Sequence, residues 1–558
     1  MNATDTIKEP ELLTDLLERN AALYGGETAL IELNPIHDDA KNLAWKEYEL
    51  VESGHSVHYR SELTWGEFED QANRIANMLL ANGVRRGDKV AILLMNCIDW
   101  LPIYFGILKT GALAVPLNFR YTAEEIENCI ELSEACALFF GPEFSDRIEA
   151  VKDGPLMEGV GTYYFVGMDT PAYAGSFENE VRAYPASRPG SAGAISPEDE
   201  GAIYFSSGTT GFPKAILHSH ASLFSAAVTE WKHHGQEHDD VFLLIPPLYH
   251  TGAKMHWFGS LATGGRTILL KGTDPGWVLH TAAAEQATIV WLLVPWARDV
   301  LDYIEAHTEE VGALDLSRWR LMHIGAQPVP PSLVKRWLKY FPHHDYDTNY
   351  GLSESIGPGC VHLGLGNAHK AGSIGKAGYQ WEARIVDEGG ACVARGAVGE
   401  LTVKGPGVML EYYRNPAATK ESLKEGWLYT GDMAREDEEG FIYLVDRKKD
   451  VIITGGENIY PVQIEDFIAA YAPVKDVAVI GTPDERLGEI ALAIIEPKQG
   501  AALTEDEIRQ HLEDLPRYKR PRLIIFDKVP RNATGKIEKP RLREKFNAGS
   551  LVAQQTES

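Results

Sequence analysis

Apolar residues recur along this chain with two different periods, and their alternation sets the expected architecture. Phe68, Ala72, Ile75, Ala76 and Leu79 repeat at helical spacing and stop at Asn82-Gly83, a C-terminal signal. The apolar run Val90 to Met95 follows as a strand. Thr122 and Glu125 form a capping box ahead of Ile126 and Ile130, and Ala137 to Phe140 reads as another buried strand. Such βα alternation, running from Leu63 to about Val166, predicts a mostly parallel sheet covered by helices.

The pattern changes further on. Pro, Gly, Ser and Ala crowd Arg182 to Asp199, which marks a loop between subdomains. After about Val398, the short strand candidates Glu400 to Lys404 and Phe441 to Val445 predict a smaller β-rich subdomain. A second shift follows Asp446-Arg447-Lys448-Lys449-Asp450: Pro516 to Lys545 holds 11 Lys/Arg against 3 Asp/Glu, and on its own reads as a solvated basic face.

Composition narrows the class. With 558 residues, 44% hydrophobic and 24% charged, and with 52 Gly and 30 Pro lacking any period, the chain is globular rather than collagen-like or disordered. A net charge of -27 repels phosphate backbones, so nucleic acid is not an expected partner. Cys97, Cys129, Cys136, Cys360 and Cys392 lack metal-ligand spacing and fit free thiols in a reducing compartment. No apolar leader opens the chain, and the most apolar stretch, Val90 to Phe119, is broken by Asn96, Asp99 and Lys109. A cytoplasmic protein without a transmembrane segment is expected.

The most informative segment is Tyr204-Phe205-Ser206-Ser207-Gly208-Thr209-Thr210-Gly211-Phe212-Pro213-Lys214. A strand candidate, Ala202 to Phe205, runs into hydroxyls, two glycines and a lysine. Polyphosphate needs this combination: glycines admit backbone N–H groups, hydroxyls add donors, and lysine adds a mobile charge. No Gly-x4-Gly-Lys-Ser/Thr occurs in the chain, which disfavours P-loop kinases and ATPases.

Through this segment and several others in order, the chain from about Leu63 to Lys545 resembles the adenylate-forming superfamily: acyl- and aryl-CoA synthetases, firefly luciferase and nonribosomal peptide synthetase adenylation domains. The pattern is most similar to AMP-forming acyl-CoA synthetases. The resemblance implies nucleotide-binding stretches at Gly325-Ala326-Gln327-Pro328 and Asn349-Tyr350-Gly351-Leu352-Ser353-Glu354. There Tyr350 would frame adenine, Ser353 would contact the α-phosphate and Glu354 would hold Mg²⁺. Ser353 stands where the family more often has Thr, which keeps the donor. Asp432 in Trp427-Leu428-Tyr429-Thr430-Gly431-Asp432 would accept from the ribose hydroxyls, with Arg447 nearby, and Lys536 in Pro530-Arg531-Asn532-Ala533-Thr534-Gly535-Lys536-Ile537 would be the catalytic lysine.

The resemblance further implies an α/β fold in two domains. A large N-terminal domain, 1–448, would combine layered α/β subdomains with the β-rich subdomain and carry the acid, ATP and Mg sites. A small mobile α+β C-terminal domain, 449–558, would rotate about a hinge at Lys449. Rotation would exchange Lys536 for the loop Thr454-Gly455-Gly456-Glu457-Asn458, whose glycines admit the CoA arm. Pro461 then opens a helix candidate with Ile464, Phe467 and Ile468. The expected reaction joins a carboxylic acid to MgATP as acyl-adenylate and then to CoA as a thioester. Alternatives are carrier-protein loading, a luciferase-like oxidase, or a silent nucleotide- or acyl-binding sensor. Acid, ATP and CoA are the expected partners, with a homodimer as candidate assembly.

Pro246-Pro247-Leu248-Tyr249-His250-Thr251-Gly252-Ala253-Lys254-Met255-His256-Trp257 resembles the segment lining the family's acyl site. His250 falls at its gating position. Gly325 and Gly351 are expected to leave room for acyl bulk, with Met255 and Trp257 as apolar wall, favouring a medium- or long-chain, alicyclic or aromatic acid. Lys254 either reaches solvent or meets a second polar group on the substrate. His233, His234 and His238, like His218 with His220, have no carboxylate or cysteine completing a set, so no metal site is expected there.

Overall fold

The structure, a computed structural model, describes residues 7, 11–34, 43–46, 49–52, 60–206, 213–454, 457–484, 486–531 and 537–548. Two sheets organise the larger part. A seven-stranded sheet runs in the order Asp345–Asp347, Leu321–Gly325, Ile289–Leu293, Val241–Leu244, Arg266–Leu270, Thr28–Leu33, Arg60–Thr64, parallel except at the last pair. An eight-stranded sheet contains the predicted βα repeats as the parallel strands Lys89–Leu93, Leu113–Pro116, Ala135–Phe140 and Thr162–Phe165. It continues through Glu200–Ser206 to the antiparallel strands Lys214–Ser219 and Glu411–Tyr412.

Period-two alternation sends each strand's residues into two cores. Leu30, Val90, Ile92, Leu244 and Trp291 face a central core, whereas Ile31, Leu243 and Val290 face helices outside one sheet, and Ala91 and Leu93 face those outside the other. Helices fill the space between the sheets, so the order is helix, sheet, helix, sheet, helix. Trp100–Thr110 and Thr251–Thr263 lie in that middle layer with every residue buried, as an apolar stripe extended around the whole helix requires. The predicted helix at 68–79 is Trp65–Ala81, ending at Asn82, and the Thr122–Glu125 capping box forms as expected.

The β-rich subdomain is a five-stranded antiparallel sheet built on Gly399–Lys404, Trp427–Glu436 and Ile442–Arg447, joined by Glu382–Val386, a strand that sequence reasoning did not single out. The C-terminal part has a sheet of its own, with Val474–Asp484 and Gly488–Pro497 at its centre and helix Pro461–Ala469 against it. The basic stretch is more than a solvated face: Arg531 pairs with Asp476 at 2.6 Å, Lys539 with Glu465 at 2.8 Å and Arg543 with Asp450 at 2.6 Å.

No helix among the described residues is long and apolar enough to cross a membrane. All five cysteines are unpaired. Burial pushes the Cys360 thiol up to about 12 and that of Cys129 higher still, while Cys392 is exposed. Iodoacetamide at pH 8 should therefore label Cys392 first, with Cys129 and Cys360 reacting only on unfolding, as mass spectrometry of the alkylated peptides would report.

Candidate active site

Ligands of open α/β sheets gather at the carboxyl ends of the strands. Here strand Leu321–Gly325 ends at Gly325, and Ala326 turns the chain with a left-handed φ of 69°. His250 caps the buried helix Thr251–Thr263, its Nδ1 accepting from the Gly252 amide at 3.1 Å. Thr251 and Ser353 hydroxyls lie 3.3 Å apart, and the His218 ring donates from Nε2 to the Ser353 carbonyl at 2.8 Å. Burial lowers His218 to about 4, so it fixes that loop as a neutral imidazole. Four segments distant in sequence thus converge.

Two further groupings flank them. Tyr412 donates to Glu354 Oε1 at 2.7 Å, and the Lys214 ammonium lies 4.7 Å from the Tyr412 ring centroid. Burial and the Glu354 carboxylate push the Tyr412 hydroxyl well up, so it stays a donor. Tyr350 donates to Asp432 Oδ2, and Arg447 Nε meets Asp432 Oδ1 at 2.6 Å. Asp432 and Arg447 face one another across the ladder of Trp427–Glu436 and Ile442–Arg447. Asp432 holds Arg447 above its ordinary range, and burial together with Asp432 keeps Tyr350 protonated. A buried carboxylate fixed on both oxygens is a preset acceptor for a ligand diol. Magnesium fits the donor set: Glu354 supplies a hard carboxylate oxygen in addition to the one engaged by Tyr412.

The C-terminal part reaches this site. Arg531 Nη1 lies 3.4 Å from Gln327 Oε1, and the Val462 amide donates to Asp446 Oδ2 at 2.9 Å. Burial raises Asp446 to about 6. Lys449 is exposed in the short turn Lys448–Asp450, and Glu457 is exposed in strand Glu457–Ile459. Ser206 pairs in register with Lys214. Ser207, Gly208, Thr209, Thr210, Gly211, Gly455, Gly456 and Lys536 lie outside the described residues.

The acid-pocket expectations need correction. Trp257 is 0% exposed and packs on Phe105 and Phe68, with centroids at 5.8 and 6.2 Å, so it belongs to the central core rather than to a ligand wall. Gly351 is small because backbone approaches it: an added Cβ would lie 1.7 Å from the Gly357 carbonyl oxygen, which leaves nothing for acyl bulk. Lys254 reaches neither solvent nor the face of its helix shared by Gly252 and His256. It is buried among Tyr204, Trp100 and Tyr104 and donates to the Leu248 carbonyl at 3.2 Å. Tyr249 meets Phe119 edge-on at 5.1 Å. At Gly325 an added Cβ would fit in ordinary contact, 3.4 Å from Trp291 Nε1 and 4.0 Å from Asn349 Oδ1.

The histidines also need correction, because the fold supplies the carboxylates that spacing did not. Glu230 Oε2 lies 2.8 Å from His256 Nδ1 and 3.3 Å from His234 Nδ1; Asp347 Oδ2 lies 3.0 Å from His234 Nε2 and 3.1 Å from His362 Nδ1. His323 completes a group of candidate metal-ligand atoms with Glu230 and His234. Burial alone would raise Glu230 and Asp347, but the imidazoles around them outweigh it and hold both ionised. Tyr412, Glu230, His323, Asp347 and His362 were missed in the sequence. Their one signal is a polar residue inside an apolar run, as with His323 in Leu321-Met322-His323-Ile324.

A family model described as AMP-binding enzyme matches residues 40–413, and one described as AMP-binding enzyme C-terminal domain matches 463–536. The long-chain-fatty-acid–CoA ligase FadD13 of Mycobacterium tuberculosis is 33% identical over 490 residues, 87% of this chain and 93% of that protein. The feruloyl-CoA synthase of an Amycolatopsis species is 35% identical over 496 residues, 88% and 95% of the two chains. Among solved structures, the anthranilate CoA ligase AuaEII in complex with anthranoyl-AMP aligns with a TM-score of 0.83 at 26% identity, covering 99% of this chain and 100% of that one. More than half of the sequence lies within the first match, and the chain belongs to the AMP-binding enzyme family.

Proposed function

We propose that this protein is an AMP-forming carboxylate–CoA ligase acting on a medium- or long-chain, alicyclic or aromatic acid. In the first step a carboxylate oxygen attacks the α-phosphorus of ATP and pyrophosphate leaves; in the second the CoA thiol attacks the acyl carbon and AMP leaves. The observation that carries the reading is the convergence of Tyr350, Asp432 and Arg447 beside Ser353, Glu354 and Lys214 in a chain of this family.

Each group has a task in this reading. Asp432, aligned by Tyr350 and Arg447, binds the ribose hydroxyls, and Ser353 donates to the α-phosphate. Gly325, Ala326, Gln327 and Asn349 frame the adenine side, while Ser206 to Gly211 and Lys214 hold the outer phosphates. Glu354 would hold Mg²⁺, which would supply charge neutralisation on the phosphates. His250, locked as a helix cap, shapes the entrance for the acid. Two anions must meet in the first step, and like unit charges at 4 Å oppose one another by about 4 kcal/mol at an effective dielectric near 20. Lys536 supplies the offsetting cation. The boundary between domains falls at 448/449, and Lys449 is the pivot that exchanges Lys536 for Gly455, Gly456 and Glu457 at the CoA entrance. The five unpaired thiols support a cytoplasmic setting.

Acid labelled with ¹⁸O in both carboxylate oxygens should transfer one label to AMP, read by mass spectrometry; label in orthophosphate with ADP would refute the chemistry. Lys536→Ala should reduce acid-dependent ATP–pyrophosphate exchange by about 100-fold or more while largely sparing thioester formation from supplied acyl-AMP. Lys449→Pro, which restricts φ at the pivot, should uncouple the half-reactions, so that one persists while the full cycle slows.

A further inference from the structure

Behind the strand end at Gly325, helix and sheet bring imidazoles to one buried carboxylate. Glu230 and His234 stand one turn apart near the end of helix His220–His234, so both project from the same face. His323 comes from the middle of strand Leu321–Gly325, and its ring meets that of His234 edge-on at 4.6 Å between centroids. One ligand atom from each of Glu230, His234 and His323 lies within 4.8 Å of the others, and none of the three residues is more than 1% exposed.

The hydrogen bonds around this group orient it without completing it. The Glu230 carboxylate is fixed from outside: His256 Nδ1 meets Oε2 at 2.8 Å, and Asn349 Nδ2 donates to Oε1 at 3.0 Å. His234 Nε2 meets Asp347 Oδ2 at 3.0 Å, and the other Asp347 oxygen accepts from the Thr348 and Gly364 amides at 2.8 and 2.9 Å. A neutral imidazole carries one N–H. Spent on Asp347, it leaves His234 Nδ1 as a lone pair 3.3 Å from Glu230 Oε2, so two acceptors face one another. A proton between them would settle that contact alone. Both ring nitrogens of His323 would still lack a hydrogen-bond partner among the described residues, and an unmatched buried polar group is costly.

A metal ion answers all three side chains at once. Nitrogen and oxygen atoms ligated tetrahedrally to zinc lie about 3.3–3.5 Å apart, which is the separation of His234 Nδ1 and Glu230 Oε2. Asp347 then takes the place of the outer carboxylate that fixes a ligating histidine, turning His234 Nδ1 toward the ion. His362 Nε2, also without a hydrogen-bond partner among the described residues, lies 3.7 Å from Glu230 Oε1 as a further nitrogen beside it. Imidazoles with a carboxylate and no thiolate suit a divalent transition ion, whereas magnesium and calcium take oxygen donors. The His234 ring also offers Nε2 to a second group, with Asp347 and His362, but there both contacts to Asp347, at 3.0 and 3.1 Å, are already hydrogen bonds. No channel is needed, because such sites load as the chain folds.

We propose that Glu230, His234 and His323 hold a divalent transition-metal ion, of the zinc class, that cross-links helix His220–His234 to strand Leu321–Gly325. Its role is structural. Through Asn349, which donates to Glu230, and through Gly325, at the end of the strand that carries His323, the ion braces both stretches assigned above to the adenine side.

The test measures metal in the purified full-length protein, expressed with zinc in the medium and desalted without chelator. Elemental mass spectrometry should find about one zinc per chain, and less than about 0.1 in His323→Leu and in Glu230→Gln. Asp347→Asn keeps the ligands and should bind zinc about 10- to 100-fold more weakly in competition with a chromogenic chelator. If neither ligand variant folds, X-ray absorption at the zinc edge of the wild type decides: imidazole and oxygen scatterers without sulfur support the site, and a sulfur shell, drawn from the five thiols, overturns it. Less than about 0.1 zinc or other transition metal per wild-type chain, even after refolding with excess zinc, would overturn the proposal and leave the cluster to hydrogen bonding. So would zinc retained in full by both ligand variants. No acid, ATP or CoA enters these measurements, so the ligase reading stands or falls separately.

Discussion

Everything polar in the middle layer must find its partner inside the protein. Two sheets enclose the helices Trp100–Thr110 and Thr251–Thr263 so fully that no residue of either reaches water. Transfer of a charged or hydrogen-bonding group into such a layer is costly unless compensated. Lys109, fully buried, is met by Glu69 at 2.7 Å and Glu18 at 3.0 Å. Lys254 rests among three aromatic rings with one backbone carbonyl, and burial lowers its affinity for the proton accordingly. His250 spends its Nδ1 on the helix end.

The site is assembled where this rigid block meets softer architecture. Tyr350 comes from the edge of the layered block, Asp432 and Arg447 from the antiparallel sheet, and Gln327 touches Arg531 from the C-terminal part. The Tyr350–Asp432 and Gln327–Arg531 contacts join positions 82 and 204 residues apart, whereas Asp432 and Arg447 share one pair of adjacent strands, so the grouping is complete only once all three parts have docked. Charge-assisted bonds are suited to such a junction. They fix direction strongly, and where an exposed pair can exchange a protein partner for water, parting costs little. Lys448, half-exposed just before the proposed pivot, pairs at 2.9 Å with Glu400, which is buried.

Much of this was legible in the sequence, and the reasons differ by level. The βα repeats, the helix end at Asn82 and the Thr122–Glu125 box are local patterns, and the structure contains them. The family was readable because glycine, hydroxyl and lysine runs concentrate chemistry into short stretches. Burial and direction were not readable. Trp257 and Gly351 sit in motif positions, yet one is core and the other a backbone contact, since a helix offers several faces and a glycine can be small for several reasons. Spacing also hid the carboxylates: Glu230 joins His234 within one helix, but Asp347 and His362 arrive from strands more than a hundred residues away.

Lys109, Lys254 and His323 present one sequence signal, a titratable residue within an apolar run, and the fold resolves it three ways. The first is answered by two carboxylates and needs no further explanation than stability. The second is answered by aromatic faces and a carbonyl, on the side of its helix opposite Gly252 and His256. The third has no hydrogen-bond partner among the described residues and packs edge-on against His256 and His234, at 4.3 and 4.6 Å between ring centroids.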